Sequence, residues 1–178
     1  DHFKSINDRF GHETGDRVLS EISARLAALL REGDQLARWG GEEFLIALPG
    51  MAARDMETFV TRILDRIGSK PFRIGERDLP ITASVGFCPF PMENSAIGEG
   101  WESHFMLADQ AMYHAKGKGR YGASGVLAFL APWETVKTAC VRDFSAAIKD
   151  GLIEVHHWRG ALSDQAQVIA IGTRTPPA

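Results

Sequence analysis

Cysteine is scarce in this sequence: Cys88 and Cys140 are the two there are, far apart and without metal-ligand spacing. That excludes a disulfide-rich scaffold and leaves buried free thiols in a reducing compartment as the expectation. Long apolar runs are lacking too. No stretch approaches the roughly 20 residues of a membrane-spanning helix, and no signal-peptide pattern is present. Positive charge is not in excess, since 20 Lys and Arg stand against 23 Asp and Glu for a net charge of −3. That balance argues against a domain built to track a nucleic-acid backbone. Internal repeats and low-complexity tracts are absent. So is an initiator methionine before Asp1, and the sequence therefore reads as part of a longer chain.

What is present suffices for one substantial core: 178 residues, 44% of them hydrophobic. One domain with an appendage is the expectation. Residues 1–16 are polar and glycine-punctuated, and read as a loop-rich stretch with a short helical turn. Val18, Leu19, Ile22, Leu26, Leu29 and Leu30 recur at helical spacing, with Gly33 as a stop. A second amphipathic helix runs through Met56, Phe59, Val60, Ile63, Leu64 and Ile67 to Gly68. Residues 72–87 read as a hairpin turning at Gly75 to Asp78, with a buried strand from Ile81 to Phe87. A Pro/Gly-rich loop, a third helix from about His104 to Lys116 and a strand over 125–131 complete the main unit. From Trp133 one further helix is predicted to end near Gly151, followed by strand-like runs over 152–158 and 166–172. Helices and hairpins in this order predict an α+β domain with helices over a mainly antiparallel sheet.

Residues 38–49, RWGGEEFLIALP, place Gly40, Gly41, Glu42 and Glu43 between two apolar runs. Glycine pairs between such runs mark a hairpin, because glycine reaches positive φ without a Cβ clash. Two solvated acids at a tight turn are the simplest reading. The chemical reading is a divalent-metal and phosphate site, since hard Mg²⁺ takes carboxylate oxygens and completes its shell with waters and substrate phosphates. Lys4 and Asn7 lie in the first loop, Asp16 precedes the first long helix, and Lys116 and Arg120 sit in AKGKGR where the third helix ends. Singly, Asp16 fits an N-cap, Asn7 an Asx turn, and Lys116 and Arg120 a helix C-terminus.

Taken together, DHFKSINDRFGHETGD, RWGGEEF, ITASVGF and ADQAMYHAKGKGR occur in an order that resembles the GGDEF family, the diguanylate cyclases, over roughly residues 1–122. The resemblance implies a palm-like fold similar to adenylyl cyclases (ferredoxin-like). It also implies condensation of two GTP into cyclic di-GMP, with Mg²⁺ or Mn²⁺, by a homodimer of such domains. By position, Glu43 looks like a metal-ligating carboxylate and Glu42 like its neighbour in the same catalytic site. Gly40 and Gly41 let the backbone approach GTP, Asn7 and Asp16 match guanine-reading positions, and Lys4, Lys116 and Arg120 match phosphate-holding ones. A carboxylate at Asp16 suits guanine, which offers a ring N–H that adenine lacks. REGD, with Arg31 and Asp34, matches the family's product-inhibition motif, RxxD, which binds cyclic di-GMP.

Several departures bear on these expectations. In the family a first strand, carrying a metal-binding aspartate, precedes the position of Asp1 and lies in the middle of the sheet. That strand is missing from this chain, so residues 1–178 alone are expected to be poorly folded and inactive although the parent protein is competent. Tyr121 stands where the family usually has Asn. The family-like domain is drawn over residues 1–131 and an appendage of unknown role over 132–178, where FSAAIKDGLIEVHHW resembles the start of an EAL phosphodiesterase domain without an E-A-L triplet. Sensory or membrane segments are expected upstream, with the domain itself in the cytoplasm, free or as part of an inner-membrane protein. Two other readings compete with an active cyclase. One is a degenerate domain that senses GTP or cyclic di-GMP, which need not keep both acids. The other is an ATP-using or nucleic-acid palm, which Asp16 and the acidic net charge disfavour.

Overall fold

The computed structural model describes residues 1–92 and 100–160. The predicted strand over 166–172 lies outside them.

The chain starts with helix, not loop. Helix α1 spans Phe3–Phe10 and α2 spans His12–Ala27, joined at Gly11, whose φ of 84° no β-carbon would favour. Phe3 and Ile6 pack on the core from α1. Their helical spacing competes with the polar residues between them, and burial wins. Lys4 and Asn7 are therefore helical, so Asn7 does not close an Asx turn. Asp16 is the fifth residue of α2, not its N-cap.

After α2, β1 (Gln35–Gly40) and β2 (Glu43–Ala47) form the expected antiparallel hairpin, with Leu36 opposite Ile46 and Gly40 opposite Glu43. A short 3₁₀ turn leads into α3 (Met56–Gly68), which buries Phe59, Val60, Ile63, Leu64 and Ile67. Arg25 of α2 locks the end of that helix. Its guanidinium donates to the carbonyls of Ile67, Lys70 and Pro71 and lies 3.7 Å from the Phe72 ring centroid. Such charge-assisted bonds satisfy carbonyls that a helix end leaves open.

The next hairpin is small: β3 (Phe72–Ile74) pairs with β4 (Arg77–Leu79) alone. The buried strand predicted from Ile81 is shorter than expected, β5 covering Ser84–Phe87. Helix α4 begins earlier than the sequence suggested and spans Trp101–Gly117. It leads to β6 (Gly122–Phe129), which runs parallel to β5. The single helix predicted after Trp133 is two, α5 (Trp133–Arg142) and α6 (Phe144–Lys149). Asp143 breaks the run with extended backbone, and its carboxylate accepts from Ala146 N at 2.9 Å as the cap of α6.

Strand β7 (Ile153–Arg159) then pairs antiparallel with β6, from Gly122 opposite Arg159 to Phe129 opposite Ile153. Residues 133–153 share one core with α4 and β6, through Trp133, Val136, Cys140, Phe144, Ala147 and Ile153 against Leu107, Ala111, Val126 and Phe129. Both cysteines are free, and burial pushes the Cys88 thiol up to about 12 and the Cys140 thiol up to about 11. Neither ionises near neutral pH.

The pairings are mainly antiparallel, yet β1–β2 and β5–β6–β7 do not join. A cavity of about 1580 Å³, lined by Phe44 to Leu48 on one side and Thr82 to Phe87 on the other, separates the two sheets.

Candidate active site

The acidic hairpin tip is built by backbone conformation. Gly41 takes φ 52°, and Arg38 holds the turn by donating from Nε and Nη2 to Gly41 O at 2.9 and 2.7 Å. This arginine was not singled out from the sequence, although its place three residues before Gly41 was visible. The tip also leans on α4. Trp39, 53% exposed, has its ring centroid 5.0 Å from Phe105 and 6.4 Å from Trp101. Glu42 and Glu43 are exposed, and neither makes a hydrogen bond or ion pair with a described residue.

Across the same cavity stand the cations. Asp1, Lys4, Glu42, Glu43, Lys116 and Arg120 all line it. Lys116 lies in the last turn of α4, and Arg120 follows in left-handed backbone with φ 61°. Burial holds the His2 pKa below its usual value, and Arg120 and Glu42 act on it electrostatically, the cation lowering and the acid raising it. Acids from one hairpin and cations from the end of α4 therefore line one cavity.

The Asp1 carboxylate is engaged. It accepts from Ser84 Oγ at 2.7 Å, Thr82 Oγ1 at 3.0 Å and Tyr121 N at 3.3 Å. Asp1 pins β5 to the turn after α4. Among the described residues no group of three or more His, Cys, Asp or Glu side chains is poised around a metal position. Two unpaired carboxylates still suit Mg²⁺ or Mn²⁺, because such ions take one or two acids and complete their shell with water and phosphate.

Asn7 and Asp16 are not on that cavity wall. Asn7 lies in α1 and Asp16 in α2, and a Cβ on Gly15, the residue before Asp16, would collide with Asn7 Oδ1. Asn7 Oδ1 is buried with no partner, an unusual state for an amide oxygen. Asp16 is exposed. Gly40 and Gly41 sit at the tip but do not line the cavity either.

The RxxD pair is remote from the acids and folded on itself. Asp34, its side chain 3% exposed, accepts from Arg31 N at 3.0 Å and Arg31 Nε at 3.3 Å, while Arg31 Nη2 donates to Pro49 O at 2.7 Å.

A mainly antiparallel α+β domain with an acidic glycine turn facing a cationic helix end is a nucleotide-cyclase type of palm. The family described as "Diguanylate cyclase, GGDEF domain" matches residues 1–121, and the chain belongs to it. Among curated relatives, the diguanylate cyclase DgcP of Pseudomonas aeruginosa is 42% identical over 120 residues, covering 67% of this chain. The chain spans 17% of the length of DgcP. Among solved structures, diguanylate cyclase SiaD of Pseudomonas aeruginosa, in complex with its activator SiaC, is 41% identical with a TM-score of 0.61. The match covers 67% of this chain and 44% of SiaD. The coiled coil and GGDEF domain of DgcB from Caulobacter crescentus, in complex with c-di-GMP, is 31% identical with a TM-score of 0.60. There the match covers 67% of this chain and 62% of that one.

Proposed function

We propose that the protein is a working diguanylate cyclase, joining two GTP into cyclic di-GMP with release of two pyrophosphates. The observation that carries this reading is that unpaired Glu42 and Glu43 line one cavity together with Lys4, Lys116 and Arg120. In the reaction the 3′-hydroxyl of one GTP attacks the α-phosphate of the other. Charge therefore gathers on phosphate oxygens and on the departing pyrophosphate. Lys116 and Arg120 are placed to hold that charge by position and electrostatics, and Lys4 adds to it from α1. Glu43, with Glu42 beside it, would hold Mg²⁺ or Mn²⁺. Bound there, the ion would neutralise phosphate charge and lower the pKa of the attacking hydroxyl.

Asn7 and Asp16 are assigned to guanine. The exposed Asp16 carboxylate offers two acceptors, which suits the ring N–H and amino group of guanine, and the unpartnered Asn7 Oδ1 would accept a further bond once uncovered. One GTP per domain requires two domains facing each other, hence a homodimer. Arg31 and Asp34 are assigned to binding cyclic di-GMP as a feedback inhibitor. Their present bonds to each other and to Pro49 O would then have to open. We place the domain in the cytoplasm, under the control of upstream input. Incubating the full-length protein with GTP or ATP and Mg²⁺, then identifying products, tests the reading. Cyclic di-GMP from GTP alone supports it; binding of GTP without turnover would favour a sensor.

A further inference from the structure

Strand β7 lies beyond the residues matched by the family, yet it grips the turn that carries Lys116 and Arg120. Arg159 Nη2 donates to Lys118 O at 3.2 Å, and Gly160 N donates to Tyr121 O at 2.9 Å. Deeper in the sheet, Ser124 Oγ lies 3.0 Å from His157 Nδ1 on β7 and 3.1 Å from His114 Nδ1 on α4. Ser124 is fully buried, and its single hydroxyl hydrogen serves one ring, so the other ring must donate to its oxygen. The chain His157–Ser124–His114 thus ties β7 to α4 two residues before Lys116. Phe87 and Trp158 stack beside it with ring centroids 5.5 Å apart.

The turn needs such support. Gly119, Arg120 and Tyr121 are consecutively left-handed, at φ 110°, 61° and 43°. Two of them carry a β-carbon, and such backbone persists only where the surroundings over-determine it. The Tyr121 ring supplies part of that. It lies over Gly68 at the end of α3 and over Gly160 after β7, so closely that a Cβ at either would collide with it.

We propose that residues 153–160 are a positioning strap for the phosphate-holding turn, acting through the Lys118 carbonyl, the Tyr121 carbonyl and Ser124. The proposal rests on the reading of Lys116 and Arg120 as phosphate ligands. Its signature is selective: loosening the strap weakens binding of the triphosphate and leaves binding of the nucleoside alone.

The test uses the full-length protein, Arg159→Met and Ser124→Ala, titrated calorimetrically with guanosine and with 3′-deoxy-GTP, which lacks the attacking hydroxyl. Each variant is expected to lose roughly 3–10-fold in affinity for 3′-deoxy-GTP, the scale of one hydrogen bond, with guanosine unchanged. Arg159→Lys, which can still reach a carbonyl, is expected to recover most of that loss. Unchanged affinity for both ligands in both variants would overturn the strap, as would equal losses for both, which mark general unfolding. Failure of the wild-type protein to bind 3′-deoxy-GTP at all would instead sink the cyclase reading itself.

Discussion

Gly15 is the fourth residue of α2, inside the helix, where glycine is ordinarily a defect. Replacing it with alanine should raise helix propensity by about 1 kcal/mol. The structure opposes that gain, because the new methyl would meet Asn7 Oδ1 and lie 3.0 Å from Phe3 Cζ. Asn7 has the shorter path out, at the cost of leaving its preferred rotamer, about 0.5–1.5 kcal/mol. Gain and cost nearly cancel, so Gly15→Ala is expected to melt within a few degrees of wild type, roughly the shift that 1 kcal/mol produces in a domain of this size. Guanine recognition should not be spared. If Asn7 Oδ1 accepts from the base, losing that bond costs about 1–3 kcal/mol, or roughly 5- to 150-fold in affinity. Calorimetric titration of the full-length protein with guanosine measures this beside a thermal melt. A variant as stable as wild type that binds guanosine equally well would refute the assignment of Asn7.

Three further outcomes are expected. Asp16→Asn should weaken the preference for GTP over ATP, because an amide presents a donor where the carboxylate offered only acceptors; competition binding reads it, and unchanged selectivity removes Asp16 from the base site. Arg31→Ala should relieve product inhibition at a nearly unaltered initial rate, since Arg31 is held at Pro49 O and Asp34, away from the acids; progress curves that plateau like wild type would reject it. Burial, with Lys118 near both rings and Arg159 near His157, holds the His114 and His157 pKa values below the usual 6.5. The unfolded chain then binds protons that the folded one refuses, so stability is full above pH 6.5 and falls as pH drops toward the folded values. The melting temperature should decline from pH 7 to 5 more steeply in wild type than in His157→Asn, and equal slopes would contradict this.

The acidic hairpin was legible because Gly-Gly between apolar runs leaves little choice of turn. The Lys116–Arg120 pair was legible as the end of a periodic helix. Residues 1–16 were not, since Gly11 and Gly15 look alike in sequence. One ends a helix at positive φ, while the other lies inside a helix because Asn7 occupies the place of its side chain. The break at Asp143 was likewise hidden. Its backbone turns extended so that its carboxylate can cap the next helix, and apolar periodicity continues across the break. For β7 the alternation of residues announced a strand but not its partner. Pairing with β6 is decided by long-range packing of Trp158 on Phe87 and of Ile153 in the core. Tyr121 was visible as a departure from the family, whereas its wedge between Gly68 and Gly160 required the fold.

The central claim is that the exposed, unpaired Glu43 carboxylate serves a metal-dependent condensation of GTP. Glu43→Gln removes one charge with little change of shape. The most direct measurement is cyclic di-GMP formation from GTP at saturating Mg²⁺ by full-length wild-type and Glu43→Gln proteins, with 3′-deoxy-GTP affinity measured in parallel. Turnover is expected to disappear in the variant while nucleotide affinity falls far less, because base and phosphate contacts remain. Wild-type turnover in Glu43→Gln would contradict the account.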